Sequence, residues 1–258
     1  MDLSADRPRG DGPLWVASGG HGGRVVVLLH GIGATAAVWV KVARVLESRG
    51  LRWIAPDLRG HGGSTGQGPY GFGMHAADIA MLLRSEDPDR ITVLGHSFGG
   101  VVGACLAGGL FGPPPARLAA FGVKFDWTPT EIAQAQAVAA KPPRAFATTS
   151  EARARHLKIS GLSGLVREDA PETARGIRRG AEAAVLAMVP GVFGAVGPPI
   201  APLFEALRCP LTLACGTEDA IADLAAHRRF DPDAAALEGM GHNAHIQNPV
   251  AVADLVSG

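Results

Sequence analysis

Residues 91–100, Ile-Thr-Val-Leu-Gly95-His96-Ser97-Phe98-Gly99-Gly100, constrain this chain more than any other stretch. An apolar run of strand length ends at Gly95, and a helical run of small residues, 98–110, begins just after Ser97. A serine on so sharp a strand-to-helix turn sits on a strained backbone and projects its hydroxyl outward. The residues two before and two after it approach each other closely and must be small; here they are Gly95 and Gly99. Gly100 and Gly103 let the helix pack against a sheet. The segment therefore predicts an open sheet with a nucleophile at one rim.

The rest of the 258 residues fits such a sheet. The run Val25-Val26-Val27-Leu28-Leu29 lacks polar alternation, as expected of a strand buried on both faces. Strands are also predicted at 51–55, 118–123, 211–215 and 234–237, with helices at 38–49, 74–85, 220–230 and 249–256. Alternation of this kind implies a parallel sheet covered on both sides. Residues 14–18 and 24–30 flank Gly19-Gly20-His21-Gly22-Gly23 and read as a hairpin. From Trp127 to Ala206 the rhythm breaks: helical patterns at 131–140, 150–157 and 181–189 are separated by prolines and glycines. The expected organisation is a core of 1–126 and 207–258 interrupted by a helical cap, 127–206.

A serine hydroxyl needs a base. His242, in Gly239-Met240-Gly241-His242-Asn243, follows the last predicted strand and so emerges at the same sheet edge as Ser97. His245 is its rival, and either can instead line the pocket. The base needs a carboxylate to orient it. Asp219, in Gly216-Thr217-Glu218-Asp219, lies at the same edge; Glu218 and Asp126 are rivals. Two backbone amides can serve a developing oxyanion: Phe98, at the helix start, and Ile32, in His30-Gly31-Ile32-Gly33 after strand 25–29. His30 and His61 read as structural hydrogen-bonders. Residues 242–245 lack the glutamate of a zinc-binding H-E-x-x-H.

Together, residues 30–33, 56–64 (Pro-Asp-Leu-Arg-Gly-His-Gly-Gly-Ser), 95–100, 216–219 and 241–242 resemble the α/β-hydrolase superfamily. The nearest flavour is that of small esterases, haloperoxidase-like perhydrolases and carbon–carbon bond hydrolases. The resemblance covers nearly all of the chain outside 127–206. It implies an eight-stranded, mostly parallel sheet with helices on both faces, and a cap over the active site. It also implies nucleophile Ser97, acid Asp219, base His242 and oxyanion amides from Ile32 and Phe98. A serine at 97 speaks against branches whose nucleophile is aspartate, the haloalkane dehalogenases and epoxide hydrolases.

The expected chemistry is cleavage of an ester, thioester or lactone of a small apolar substrate. Alternatives are carbon–carbon bond hydrolysis, perhydrolysis, or a non-catalytic small-molecule receptor. Lys124 could reach a substrate carbonyl or carboxylate, and Trp127, Met188, Phe193 and His245 are candidate pocket residues. No metal or organic cofactor is implied. The 24 basic and 24 acidic side chains argue against a nucleic-acid partner. Residues 183–204 are uncharged, but four prolines and three glycines argue against a membrane span. The N-terminus is polar and lacks the apolar core of a secretory signal. Cys105, Cys209 and Cys215 form no close pair, which points to a reducing, cytoplasmic setting.

Overall fold

The computed structural model describes residues 14–64, 68–180 and 183–256. The polar N-terminal stretch and the first two residues of the helix expected at 181–189 lie outside them. In chain order the strands are β1 (Val16–Gly19), β2 (Val25–Leu29), β3 (Arg52–Pro56), β4 (Ile91–His96), β5 (Arg117–Phe121), β6 (Ala145–Phe146), β7 (Ile177–Arg179), β8 (Ala184–Leu186), β9 (Leu211–Gly216) and β10 (Ala235–Leu237). The α-helices are α1 (Val40–Ser48), α2 (Phe72–Leu83), α3 (Phe98–Ala107), α4 (Pro129–Ala139), α5 (Thr149–Ile159), α6 (Pro171–Arg175), α7 (Ala201–Glu205), α8 (Leu224–Arg228), α9 (Ala244–Gln247) and α10 (Pro249–Asp254).

The main sheet has the order β1-β3-β2-β4-β5-β9-β10, parallel throughout except for β1. Its seven strands are one fewer than the resemblance implies. All five residues of β2 are buried. Successive side chains enter opposite layers: Val25, Val27 and Leu29 join the core that includes Val101 and Val102 of α3, while Val26 and Leu28 join Trp39, Val42 and Leu46 beneath α1. A strand buried on both faces belongs at the centre, and β2 has parallel neighbours at both edges, β3 and β4.

The hairpin expected of residues 14–30 is therefore not formed. With both edges of β2 occupied, the half-exposed β1 pairs antiparallel with β3, Val16 opposite Pro56. The glycine-rich linker is a crossover, with positive φ at Gly20 (73°) and Gly22 (118°).

Chain direction reverses across the sheet between β2 and β4: β2 leads to β3 on one side, whereas β4 lies on the other. That reversal opens a crevice beyond the carboxyl ends of β2 and β4. Leu29 is in register with Gly95, so the loops carrying Ile32 and Ser97 leave the sheet side by side.

Between β5 and β9 the chain is not purely helical, as the sequence suggests. Strands β6, β8 and β7 form a small antiparallel sheet with β8 in the middle. The helix expected at 181–189 is replaced by β8. Ala184 packs with Phe146 and Ala152 in a small core of its own, and tertiary pairing overrides the helix preference of an alanine-rich run. Helices α4 and α5 form where expected, and each starts on a capping box, Thr128 with Glu131 and Thr148 with Glu151. Residues 183–204 are divided among β8, a 3-10 turn at Pro190–Ala195 and α7. Among the described residues no helix is long and apolar enough to cross a membrane.

Leu28 is fully buried beneath α1. Leu28→Ala is expected to cost about 2–5 kcal/mol of unfolding free energy, measured by urea titration. A loss below about 1 kcal/mol would contradict a tightly filled central layer.

Candidate active site

Ser97 joins β4 to α3 at φ 50° and ψ −115°, and is the one non-glycine residue with positive φ among the described residues. Its amide donates to the Phe121 carbonyl at 2.9 Å. The glycines around it are sterically required. A Cβ on Gly95 would stand 2.5 Å from Gly100 Cα, and one on Gly99 would stand 2.1 Å from the Leu29 carbonyl oxygen. The absence of these side chains lets α3 begin hard against the sheet and holds the serine in its strained turn.

His242 and Asp219 come from the loops after β10 and β9. These loops interlock: Glu218 N–H donates to the Met240 carbonyl at 2.9 Å, and a Cβ on Gly216 would collide with that oxygen at 2.1 Å. The His242 Nδ1–H donates to Asp219 Oδ2 at 2.9 Å, and the carboxylate is inaccessible to solvent. Asp219 Oδ1 accepts the Ile221 and Ala222 amides at 2.8 and 3.0 Å. Burial alone would raise this carboxyl, but the hydrogen bonds from His242 and the two amides outweigh it and hold its pKa below the usual aspartate value. Gly122, at φ 63°, leaves the space that the pair occupies; its Cβ would lie 3.3 Å from His242 Nδ1.

The rivals are placed elsewhere. Glu218 is exposed, and Asp126 is ion-paired with Arg229 at the surface. His245 is fully buried among Trp39, His96 and Phe121, and neither of its ring nitrogens has a partner among the described residues.

Ser97 and His242 both line a cavity of about 230 Å³ that is also walled by Ile32, Phe98, Trp127 and Phe193. No hydrogen bond joins the Ser97 hydroxyl to the imidazole among the described residues. The N–H groups of Ile32 and Phe98 have no protein acceptor among the described residues, the latter because it opens a helix. The Ile32 loop is pinned by two buried histidines. His30 Nε2 accepts the Leu58 amide at 2.9 Å and its Nδ1–H donates to Gly31 O; His61 Nε2 accepts the Gly33 amide at 3.1 Å and its Nδ1–H donates to Arg59 O.

Of the pocket residues expected from sequence, Lys124, Trp127 and Phe193 line the cavity, and Met188 and His245 do not. Met188 pairs with His61 through its backbone and faces a neighbouring hollow, because β8 draws this stretch away from the serine. His245 points into the core, because α9 turns its side chain toward Trp39. Lys124 is ion-paired with Glu131, and its ammonium sits 4.8 Å from the Trp127 ring. Three features escaped sequence reasoning. Lys158 and Ile159, at the end of α5, line the cavity. His96 Nε2–H donates to the His242 carbonyl at 2.9 Å, with the two rings 4.7 Å apart. The Asp57 carboxylate binds Arg175 of α6 at 2.9 Å. A histidine inside the serine pentad was a visible signal for His96; nothing local marks Arg175 or α5.

The match to a family model follows this geometry: residues 26–255 fit the alpha/beta hydrolase family, and the chain belongs to it. Among curated proteins it is 34% identical over 82 residues to lipase LipV of Mycobacterium tuberculosis, covering 32% of this chain and 31% of that protein. It is 35% identical over 116 residues to 2-hydroxy-6-oxo-2,4-heptadienoate hydrolase of Pseudomonas putida, covering 41% of each. The first relatives, mycobacterial proteins of unassigned activity, are matched over only 24% of their own length. In fold it resembles the thioesterase domain from the curacin biosynthetic pathway, at TM-score 0.78 and 20% identity over 96% of both chains.

The buried histidines make stability depend on pH. Burial lowers His30 to about 4 and His245 to about 3, and takes His61 and His96 well below 6.5. Unfolded imidazoles titrate near 6.5. Above that pH neither state is protonated and stability is complete. As pH falls toward 4, the unfolded chain takes up protons that the folded chain refuses, and stability is lost. The urea midpoint is expected to drop steadily from pH 7 to pH 5, with about 1 kcal/mol lost per shifted histidine for each pH unit below 6.5. A level midpoint across that window would contradict neutral burial.

Proposed function

We propose that the chain is a serine hydrolase acting on an ester, thioester or lactone, with Ser97 as nucleophile, His242 as base and Asp219 as the orienting acid. The observation that carries this reading is that the strained Ser97 and His242 line one cavity while Asp219, buried behind it, is bonded to His242, the three coming from separate strand ends. In this mechanism the Ser97 hydroxyl attacks the substrate carbonyl carbon while its proton passes to His242 Nε2. The Ile32 and Phe98 amides stabilise the resulting oxyanion. Collapse expels the leaving group, which takes the proton from His242. Water, deprotonated by the same imidazole, then clears the acyl-enzyme and restores the serine. Asp219 holds the ring with Nδ1 protonated, so that Nε2 is free to accept.

In this reading residues 127–206 are the cap. They carry Trp127, Ile159 and Phe193 to the roof of the cavity and select a small, largely apolar acyl group. Three unpaired thiols, Cys105, Cys209 and Cys215, suit a reducing cytoplasm. Carbon–carbon bond hydrolysis by the same three residues is the second reading, supported by the likeness to the Pseudomonas putida hydrolase over part of the chain.

A fluorophosphonate tests the assignment without knowledge of the substrate. Stoichiometric labelling at neutral pH, mapped to Ser97 by peptide mass spectrometry, is the expected result. Asp219→Asn should slow both labelling and p-nitrophenyl butyrate hydrolysis by about a thousandfold or more. Failure of Ser97 to label would favour a receptor, and labelling at full rate in Asp219→Asn would remove Asp219 from the mechanism.

A further inference from the structure

A second hollow, of about 270 Å³, adjoins the serine cavity, and Ile159 and Phe193 belong to the walls of both. Its chemistry is different. Lys141, Arg144 and Arg155 line it, and among the described residues no aspartate or glutamate does. Arg144 stacks over Phe146 with its guanidinium carbon 4.9 Å from the ring centre. None of the three cations pairs with a carboxylate among the described residues, in contrast to Lys124, which Glu131 neutralises. The two hollows are strung along one helix. Arg155, Lys158 and Ile159 follow the i, i+3, i+4 spacing that puts side chains on one face of α5. Arg155 faces the second hollow, Lys158 faces the serine cavity and Ile159 faces both. Among the described residues the serine cavity also has no acidic side chain in its wall.

An apolar substrate gives these cations nothing to bind. We propose that the second hollow is an anion subsite, and that the physiological substrate carries a carboxylate or phosphate at the end remote from the carbonyl that Ser97 attacks. The carbonyl lies over Ser97, an apolar linker passes between Ile159 and Phe193, and Arg144, Arg155 and Lys141 hold the anion. The inference rests on the serine-hydrolase reading and narrows its substrate class.

Matched substrates test it and identify where the anion resides. One pair is mono-p-nitrophenyl adipate against p-nitrophenyl hexanoate, which differ in a carboxylate at the acyl end. The other is S-butyryl-4′-phosphopantetheine against S-butyrylpantetheine, which differ in the phosphate of the leaving group. At low salt, kcat/KM for the anionic member of one pair should exceed that of its neutral partner by about tenfold or more, and high salt should erode the preference. Arg144→Ala/Arg155→Ala should bring the ratio close to one, and Arg155→Glu should push it below that of wild type. Because both members are measured on one preparation, the ratio is insensitive to the folded fraction. A ratio near one for both pairs in wild type, or a preference that survives in the variants, would overturn the proposal. Calorimetry with adipate and with 4′-phosphopantetheine requires no turnover. Salt-sensitive binding of one of them, weakened in the double alanine variant, would uphold the subsite even if no ester were cleaved, in which case the Ser97 reading alone would fail. Absence of such binding beside normal ester hydrolysis would remove the subsite and leave the hydrolase.

Discussion

The close approach of α3 to the central strands is the constraint on which the rest of this structure depends. Gly99 lies where any side chain would strike the Leu29 carbonyl, and Gly95 lies where any side chain would strike Gly100. With those positions bare, the chain turns from β4 directly into a helix and leaves Ser97 at φ 50°. A serine in that conformation costs on the order of 1–3 kcal/mol, which the surrounding packing must offset. It does so with fully buried residues from both layers of the sheet, β2 above all. The sheet core and the serine turn are thus one mechanical unit.

The same unit sets the electrostatics. Buried neutral imidazoles, not ions, brace the Ile32 loop and back the His242 loop. A charged group in either place would bear a desolvation penalty that these positions could not recover. Charge is admitted where it is paired, as in Asp57 with Arg175, or where a hydrogen-bond cage surrounds it, as at Asp219. Unpaired cations collect in the hollow beside the serine cavity, outside this frame.

Much of the frame was legible in sequence because it is written locally. A five-residue apolar strand, a pentad with small residues at fixed offsets, and an acid and a histidine after later strands all carry their signals within a few neighbouring positions. The structure sets Ser97 and His242 in the wall of one cavity with Asp219 bonded to His242; Glu218 shares the Asp219 loop but is exposed, Asp126 pairs with Arg229 at the surface, and His245 is buried against Trp39. What was not legible depends on partners distant in the chain. Residues 14–18 look like half a hairpin until β3 is seen to occupy the edge of β2. Strands β6, β7 and β8, of two or three residues each, are too short for alternation to register, so Met188 was expected beside a cavity from which β8 removes it. Arg155 lies inside the helix expected at 150–157, and Lys158 and Ile159 lie just past its expected end; their place beside the cavities comes from how α5 docks.

The central claim is that Ser97 and His242 act as one device, and a double-mutant cycle tests it most directly. Turnover of p-nitrophenyl butyrate is measured for wild type, Ser97→Ala, His242→Ala and the double variant. Groups that share one proton transfer are strongly non-additive, so each single variant should lose about a thousandfold or more and the double variant little beyond that. Losses that multiply, or a single variant that keeps near-wild-type turnover, would show that the two residues do not work together.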